Sequence, residues 1–280
     1  MTTSPVASDD PATRAIVART LALQRRQSIM RIVLGAGFPL ALFILWEVLA
    51  RTGLIDQRFF PAPSRIIATT LDTLGNATDR RQLSAGLLVT LARLTVGFVL
   101  GAGIGILAGI LMGLYMPIRF ALGPMVYATF PTPKIAIFPL LIVMFGIGDA
   151  SKMALVALGV FFMTCMSTLS GVLYANPIYA DVAQAFRIPT WTRWTRVIIP
   201  SALPAIVTGL KLGLGQALIL VVSAEFVSSQ NGLGHFIWNS WQVLDIPRMF
   251  MGLVVVGIIG GCAVLAGDTL ERRLIPWARH

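Results

Sequence analysis

Two lysines lie inside long apolar segments, where a positive charge is costly. Lys134 falls near the centre of the run at Phe120–Ile147. Lys211 lies well inside the run at Leu203–Val227. A lysine at the bilayer centre costs about 2.5–3.5 kcal/mol on insertion scales, so such residues usually face protein or a water-filled cavity. The two lysines predict either a polar pathway suited to an anion, or side chains that reach the interface because the spans are shifted by a turn.

Prolines surround the first of these lysines. Pro131 and Pro133 precede Lys134 directly, in the sequence Phe-Pro-Thr-Pro-Lys. Prolines leave backbone carbonyls without partners, and at membrane depth this is tolerable only where protein or water receives them. We therefore predict a kinked span beside a cavity. The predicted path residues are Pro131, Pro133, Lys134, Lys211 and Glu225.

Two further charges lie close to the ends of apolar runs. Glu225 sits at the end of its run, where a gate, a contact with a partner and a solvated carboxylate are all open interpretations. Arg93 is close enough to the end of its run to reach the interface, and we interpret it as structural.

Groups that would indicate catalysis are missing from the sequence. There is no G-x-x-x-x-G-K-[ST] loop to hold a nucleotide. His235 and His280 have no partners at metal-ligand spacing, and Cys165 and Cys262 both lie in apolar runs. We predict no catalytic residues, no metal and no cofactor in this chain, and no motor of its own.

A regular series of glycines marks one apolar run. Glycine every fourth residue forms a smooth ridge against which another helix packs closely, inside a bundle or at a dimer seam. The series resembles a nucleotide fingerprint only superficially, because no strand precedes it. The glycines are Gly97, Gly101, Gly105, Gly109 and Gly113.

Composition shows what kind of protein holds these residues. Of the 280 residues, 56% are hydrophobic and 12% charged, with a mean hydropathy of +0.80. A soluble domain carries about 25% charged residues. Runs of roughly 20 apolar residues predict transmembrane helices, and hence an all-α membrane protein with six of them. The runs are Ile32–Ala50, Gly86–Leu114, Phe120–Ile147, Met153–Tyr174, Leu203–Val227 and Met249–Gly267.

We attribute the net charge of +10 to basic residues that flank the spans and set their orientation in the membrane. Six spans put both termini on one side, and most lysines and arginines outside the spans fall on that side, which predicts cytoplasmic termini. No basic stripe with interleaved aromatic residues lies outside the membrane-flanking segments, so lipid headgroups rather than nucleic acid are the expected partner of these charges.

The loop between spans four and five, residues 175–202, carries the most specific pattern. Ile178, Val182, Ala185 and Phe186 form a short apolar stripe at helical spacing. The stripe ends before Pro189, which disfavours helix at the residue before it. A short amphipathic helix that docks on another protein and a loop folded back on the bundle both remain open.

The same loop resembles the E-A-A-x3-G-x9-I-x-L-P motif of membrane permease subunits in bacterial binding-protein-dependent ABC importers. Residues 181–187 read Asp-Val-Ala-Gln-Ala-Phe-Arg, and Val-Ile-Ile-Pro follows at 197–200. The stretches 131–152, 203–225 and 224–234 resemble the nitrate/sulfonate/taurine branch. Asp181 replaces the motif glutamate, and Arg187 replaces the motif glycine. Arginine is strained at that position if it requires φ > 0; if it does not, the guanidinium could pair with an acidic group on the ATPase.

This resemblance implies a subunit without catalytic activity of its own. Its partners would be two ABC ATPase subunits, an extracytoplasmic solute-binding protein and a second permease subunit, expected to be an identical copy. It implies a cytoplasmic segment 1–30, a first span and external loop 31–85, a core permease domain 86–272 and a cytoplasmic tail 273–280, in the bacterial inner membrane. The implied ATPase-coupling residues are Ile178, Asp181, Val182, Ala183, Ala185, Phe186, Arg187 and Pro200.

Lys134 and the resemblance to this branch imply a small anion of the sulfonate, taurine or nitrate class as the solute. The same branch also serves neutral or heterocyclic vitamin precursors, which remain the alternative solutes. An alternative is a secondary transporter or channel that works without ATP. That alternative needs an ion-coupling acid at depth, whereas Glu47, Glu225 and Asp268 stand near the ends of the apolar runs. A membrane enzyme is a third possibility, and it lacks an assembled acid, base or metal group.

Overall fold

Helices make up all the regular secondary structure in the part of the chain that the computed structural model describes, residues 11–174 and 185–276. Before Val33, most side chains lie outside this description. Four residues predicted to couple to an ATPase, namely Ile178, Asp181, Val182 and Ala183, also lie outside it. The chain divides into two units, residues 1–68 and 69–280.

The first unit is built on one long helix, α1 (Pro11–Arg51), whose apolar part from Val33 is long enough to cross a membrane. Its last turn carries Glu47, whose carboxylate accepts bonds from the Ser64 backbone N–H at 3.0 Å and the Ser64 hydroxyl at 2.7 Å. Ser64 opens α2 (Pro63–Gly75). A carboxylate at a helix N-terminus satisfies donors that have no intrahelical partner, so Glu47 fixes the start of α2.

The second unit holds the remaining helices. A helical turn at Thr190–Arg193 and a π-helical turn at Trp194–Ile198 lead without a break into α7. The helices are α3 (Ala77–Leu114), α4 (Met116–Thr129), α5 (Phe138–Phe145), α6 (Asp149–Leu173), α7 (Ile199–Ser228), α8 (Leu233–Gln242) and α9 (Ile246–Leu274).

The predicted all-α membrane fold is confirmed, with one correction. Among the described residues, five helices are long and apolar enough to span a membrane. The run Phe120–Ile147, predicted as one kinked span, is instead α4 followed by a 3-10 turn (Lys134–Ile137) and α5, with a bend of 98°. Pro131 and Pro133 lie in the break and lack the N–H donors that would continue a helix. The pair forms either a broken span or a re-entrant loop.

The core of the second unit is α6, which packs between α3 and α7. In the most apolar 18-residue segment of α6, 56% of the residues are buried, whereas in that of α9 the buried share is 11%. Leu155, Val156 and Val160 of α6 are fully enclosed, together with Ala217 and Val221 of α7. A helix that is apolar all round suits this central position.

The glycine ridge lies against α6. A Cβ atom added at Gly97 would lie 2.8 Å from the Met153 carbonyl oxygen, and one at Gly109 would lie 2.7 Å from that of Cys165. Gly113 meets the side chain of Val172 in the same way. The ridge therefore lets the α3 and α6 backbones approach more closely than any side chain would allow.

Candidate functional site

A buried arginine joins three helices where the N-terminal half of α3, the start of α6 and the end of α7 meet. The side chain of Arg93 is 2% exposed. Its guanidinium donates to Glu225 Oε1 at 2.7 Å and, through two nitrogens, to Asp149 Oδ1 at 2.6 and 2.9 Å. It also donates to the Asn231 side-chain oxygen and backbone carbonyl. Arg93 is therefore structural, as predicted, but it is enclosed and does not reach the interface.

The carboxylate of Glu225 is held from several directions. It accepts from the Thr90 hydroxyl at 2.9 Å and from the Gly234 backbone N–H at 2.8 Å, besides its bond from Arg93. Thr90 in turn accepts from the Leu233 backbone N–H. The side chain of Glu225 has no exposed surface. The interpretation of Glu225 as a solvated carboxylate is therefore wrong.

Two glycines allow the chain to fold around this carboxylate. Gly232 has φ +109, a conformation that side chains rarely adopt. A Cβ atom on Gly234 would come within 2.6 Å of Glu225 Cβ. The turn after α7 thus brings the Gly234 backbone N–H onto Glu225 and the Leu233 backbone N–H onto Thr90. It also starts α8, a short helix that the sequence did not predict.

Lys134, predicted to line a path, is bonded within its own turn. Its ammonium donates to the carbonyl oxygens of Thr129, Phe130 and Thr132 at 3.0, 2.6 and 2.8 Å. It also lies 4.5 Å from the centre of the Phe162 ring. The Thr129 carbonyl also accepts from the Thr132 backbone N–H at 3.2 Å. Because Lys134 bonds three carbonyls at the break between α4 and α5, it stabilises the bend. Pro131 and Pro133 lie in the break and are exposed.

Lys211, the second predicted path lysine, bonds two carboxylates across to α9. Its ammonium lies 2.5 Å from Asp268 Oδ1 and 2.9 Å from Glu271 Oε2. All three side chains are about one-third to one-half exposed. The structure therefore separates the predicted path residues, because Lys134 and Lys211 lie in different clusters. Glu225 belongs to a third, the Arg93 cluster, which consists of Thr90, Arg93, Asp149, Glu225 and Asn231.

The described end of the loop before α7 is exposed. Phe186 is 78% exposed, and Ala185 beside it is exposed as well. Arg187 has φ +53. The motif position that is usually glycine is therefore left-handed here, so an arginine is strained there. Pro200 occupies the first turn of α7, where proline is well tolerated.

Helices α6 and α7 connect this loop to the Arg93 cluster. The loop follows the C-terminal end of α6 and precedes α7, whereas Asp149 and Glu225 lie at the opposite ends of the same helices. At 1.5 Å per residue, the 25 residues of α6 span about 37 Å. The two packed helices therefore have the exposed residues Ala185 and Phe186 near one end and the Arg93 ion pairs at the other.

Comparison with known proteins agrees with this architecture. Residues 101–280 match the family described as binding-protein-dependent transport system inner membrane component. A Bacillus subtilis protein named as an aliphatic sulfonates transport permease, SsuC, is 29% identical over 95% of this chain and 94% of its own. The taurine transport system permease protein TauC of Escherichia coli is 32% identical over 88% of this chain and 90% of its own.

A solved structure supports the fold independently. A chain of the MetNI methionine ABC transporter, in an inward-facing conformation, superposes with a TM-score of 0.64 at 20% identity, covering 71% of this chain and 99% of that one. The matched family covers well over half of the sequence, including both α6 and α7. This chain belongs to the family of inner membrane components of binding-protein-dependent transport systems, the permease subunits of ABC importers.

Proposed function

We propose that this permease imports small sulfonates, of which taurine is the simplest candidate, and that separate ATPase subunits drive it. Inorganic anions such as nitrate are the second candidate solutes. Two relatives are named for sulfonates and for taurine. Two identical copies would enclose the path. A solute-binding protein would deliver the solute at the end of the second unit where Arg93 bonds the start of α6 and the end of α7. The chain itself would catalyse no reaction and bind no ATP.

The observation that carries the coupling part of this proposal is the exposure of Phe186. Phe186 is 78% exposed and lies beside the strained Arg187, near one end of α6 and α7. An exposed apolar side chain at such a position is expected of a docking surface. Arg187 would pair with an acidic group on the ATPase. The loop would then lie in the cytoplasm together with both chain termini.

In this mechanism ATP binding draws the two ATPase subunits together, and each carries its docked loop with it. Helices α6 and α7 follow as one body, because they pack along their length and Arg93 ties both to α3 at the far end. The bodies of two copies then tilt between inward-facing and outward-facing arrangements. Of the predicted path residues, we keep Lys211 as the one that faces the solute, because its cluster is partly exposed.

The docking proposal can be tested with one charged substitution and a matched control. We expect Phe186→Asp to leave the permease folded but to prevent the ATPase from co-purifying with it, because the carboxylate cannot enter an apolar groove. Val243→Asp changes a similarly exposed apolar residue at the opposite end of the second unit, 67% exposed, and should retain the ATPase. Undiminished co-purification and transport with Phe186→Asp would contradict the docking role.

A further inference from the structure

A cavity of about 590 Å³ opens beside the Arg93 cluster, between the start of α6 and the end of α7. Its wall contains both charges and uncharged hydrogen-bond donors. The residues that matter for its chemistry are Arg93, Asp149, Lys152, Ser228 and Asn231.

The first of its binding groups is the N-terminus of α6. Gly148 precedes the helix and has no side chain to cap it, so the first backbone N–H groups have no capping partner. The positive end of a helix dipole, together with free N–H groups, favours an anion.

Lys152 is the second group, and it differs from the other two lysines of the sequence. Lys134 donates to three carbonyls and Lys211 to two carboxylates. Lys152 is 2% exposed, and within the described chain its ammonium bonds one acceptor, the Gly148 carbonyl at 3.0 Å. A buried ammonium that has donors to spare is costly unless an acceptor reaches it.

Ser228 and Asn231 add donors on the facing wall. The Ser228 hydroxyl is buried, and no described residue bonds it. The Asn231 side-chain oxygen accepts from Arg93, and a guanidinium can only donate, so the orientation of this amide is fixed. Its NH₂ group is consequently free to donate to a ligand. Together with Lys152 and the α6 N-terminus, these groups surround a position suited to an oxyanion with several oxygens.

One acceptor in the same cavity carries the opposite charge. Asp149 Oδ1 takes both bonds from Arg93, so its second oxygen remains available. The side chain of Asp149 is 58% exposed. An ammonium group on the ligand would meet this carboxylate one helical turn from Lys152.

We propose that this cavity binds a small zwitterionic sulfonate, with its sulfonate at Lys152, Ser228 and the α6 N-terminus and its ammonium at Asp149. The choice of sulfonate over other oxyanions rests on the proposed function. The cavity lies at the end of α6 and α7 opposite the ATPase-docking loop. It is therefore the place where a solute released by the binding protein first contacts the permease.

The modification rate of the three lysines tests the site directly. The full chain, assembled with its ATPase subunits in lipid nanodiscs, is methylated with formaldehyde and cyanoborohydride at constant ionic strength, and the lysines are quantified by peptide mass spectrometry. N,N-dimethyltaurine serves as the zwitterionic probe because its tertiary amine does not consume the reagent. Methanesulfonate supplies the sulfonate alone, and dimethyl sulfone is the neutral analogue.

We expect dimethyltaurine to slow modification of Lys152 several-fold, methanesulfonate to slow it less, and dimethyl sulfone to have no effect. Lys134, which bonds carbonyls within its own turn, is the control and should react at an unchanged rate in every sample. Equal protection of Lys134 and Lys152, equal protection by dimethyl sulfone, or a Lys152 that stays unmodified without ligand would each overturn the site.

Variants separate the individual contacts. Ser228→Ala should raise the concentration needed for half-protection several-fold, whereas Ser223→Ala, whose hydroxyl bonds the Ile219 carbonyl in the same helix, should not. Asp149→Asn should remove the advantage of dimethyltaurine over methanesulfonate, and an advantage that persists contradicts the placement of the ammonium. None of these readouts requires transport, so failure of the site would leave the importer assignment standing.

Discussion

The carboxylate partners of Arg93 differ in exposure, and this difference predicts their energetic weights. Glu225 is enclosed and Asp149 is 58% exposed. A buried pair loses about 3–5 kcal/mol when one partner is removed, because the other charge stays buried without compensation, whereas an exposed pair is worth about 0–1 kcal/mol. Arg93 and Glu225 should therefore behave as a unit, and Asp149 should contribute little to stability.

A double-mutant cycle in detergent micelles measures this coupling. We expect Arg93→Met to lower the free energy of unfolding by about 3–5 kcal/mol. Arg93→Met combined with Glu225→Gln should lose less than the sum of the two single changes. Asp149→Asn is the control and should cost at most about 1 kcal/mol. Additive losses at Arg93 and Glu225 would mean that the two side chains do not stabilise each other.

Arg187 provides a second test, because its strain and its proposed docking contact act in opposite directions. Arg187→Gly should stabilise the isolated permease by about 1 kcal/mol, since glycine adopts a positive φ without steric cost. Arg187→Ala keeps the Cβ atom and should gain nothing. Both variants should bind the ATPase less tightly in co-purification. A stabilised Arg187→Gly permease that binds the ATPase as well as before would exclude a guanidinium contact.

At the level of elements, the sequence predicted most of the helices, but not the break between α4 and α5 or the contacts between distant helices. Length and hydropathy were sufficient for the spans, and spacing was sufficient for the glycine ridge. The 98° bend was not predictable, because prolines that kink a helix and prolines that break it look alike in sequence. The pairing of Arg93 with Glu225 was also missed, since 132 residues separate them. The sequence did offer one signal of this pairing, because Arg93 and Glu225 both lie near the ends of their spans on the same side of the membrane.

Packing between α3 and α6 gives the element-scale prediction. A Cβ atom at Gly101 would collide with the backbone of Ala157, whereas one at Gly103 meets nothing within 4 Å. Gly101→Ala should therefore cost about 1–3 kcal/mol in free energy of unfolding. Gly103→Ala, two residues away in the same helix, should be neutral or stabilising by up to about 1 kcal/mol. Equal effects at the two positions would show that α3 and α6 do not pack this closely.

For the whole molecule, the features of the second unit divide between its two ends. Phe186 and Arg187 lie near one end of α6 and α7, and the Arg93 cluster and the cavity lie at the other. In the proposed mechanism this subunit supplies the conduit and the helices that move, and the ATPase subunits would supply the energy. Transport would then be a property of the assembly, with ATP hydrolysis on other chains.

Uptake of radiolabelled taurine into proteoliposomes is the most direct test of this account. Vesicles that contain this permease, its ATPase subunits and the binding protein should accumulate taurine only when ATP reaches the ATPase side. Phe186→Asp should abolish accumulation, and Val243→Asp should leave ATP-driven transport in place. Vesicles that contain the permease alone should show no flux. Accumulation by the permease alone, or undiminished ATP-driven uptake with Phe186→Asp, would contradict a conduit driven through the loop between α6 and α7.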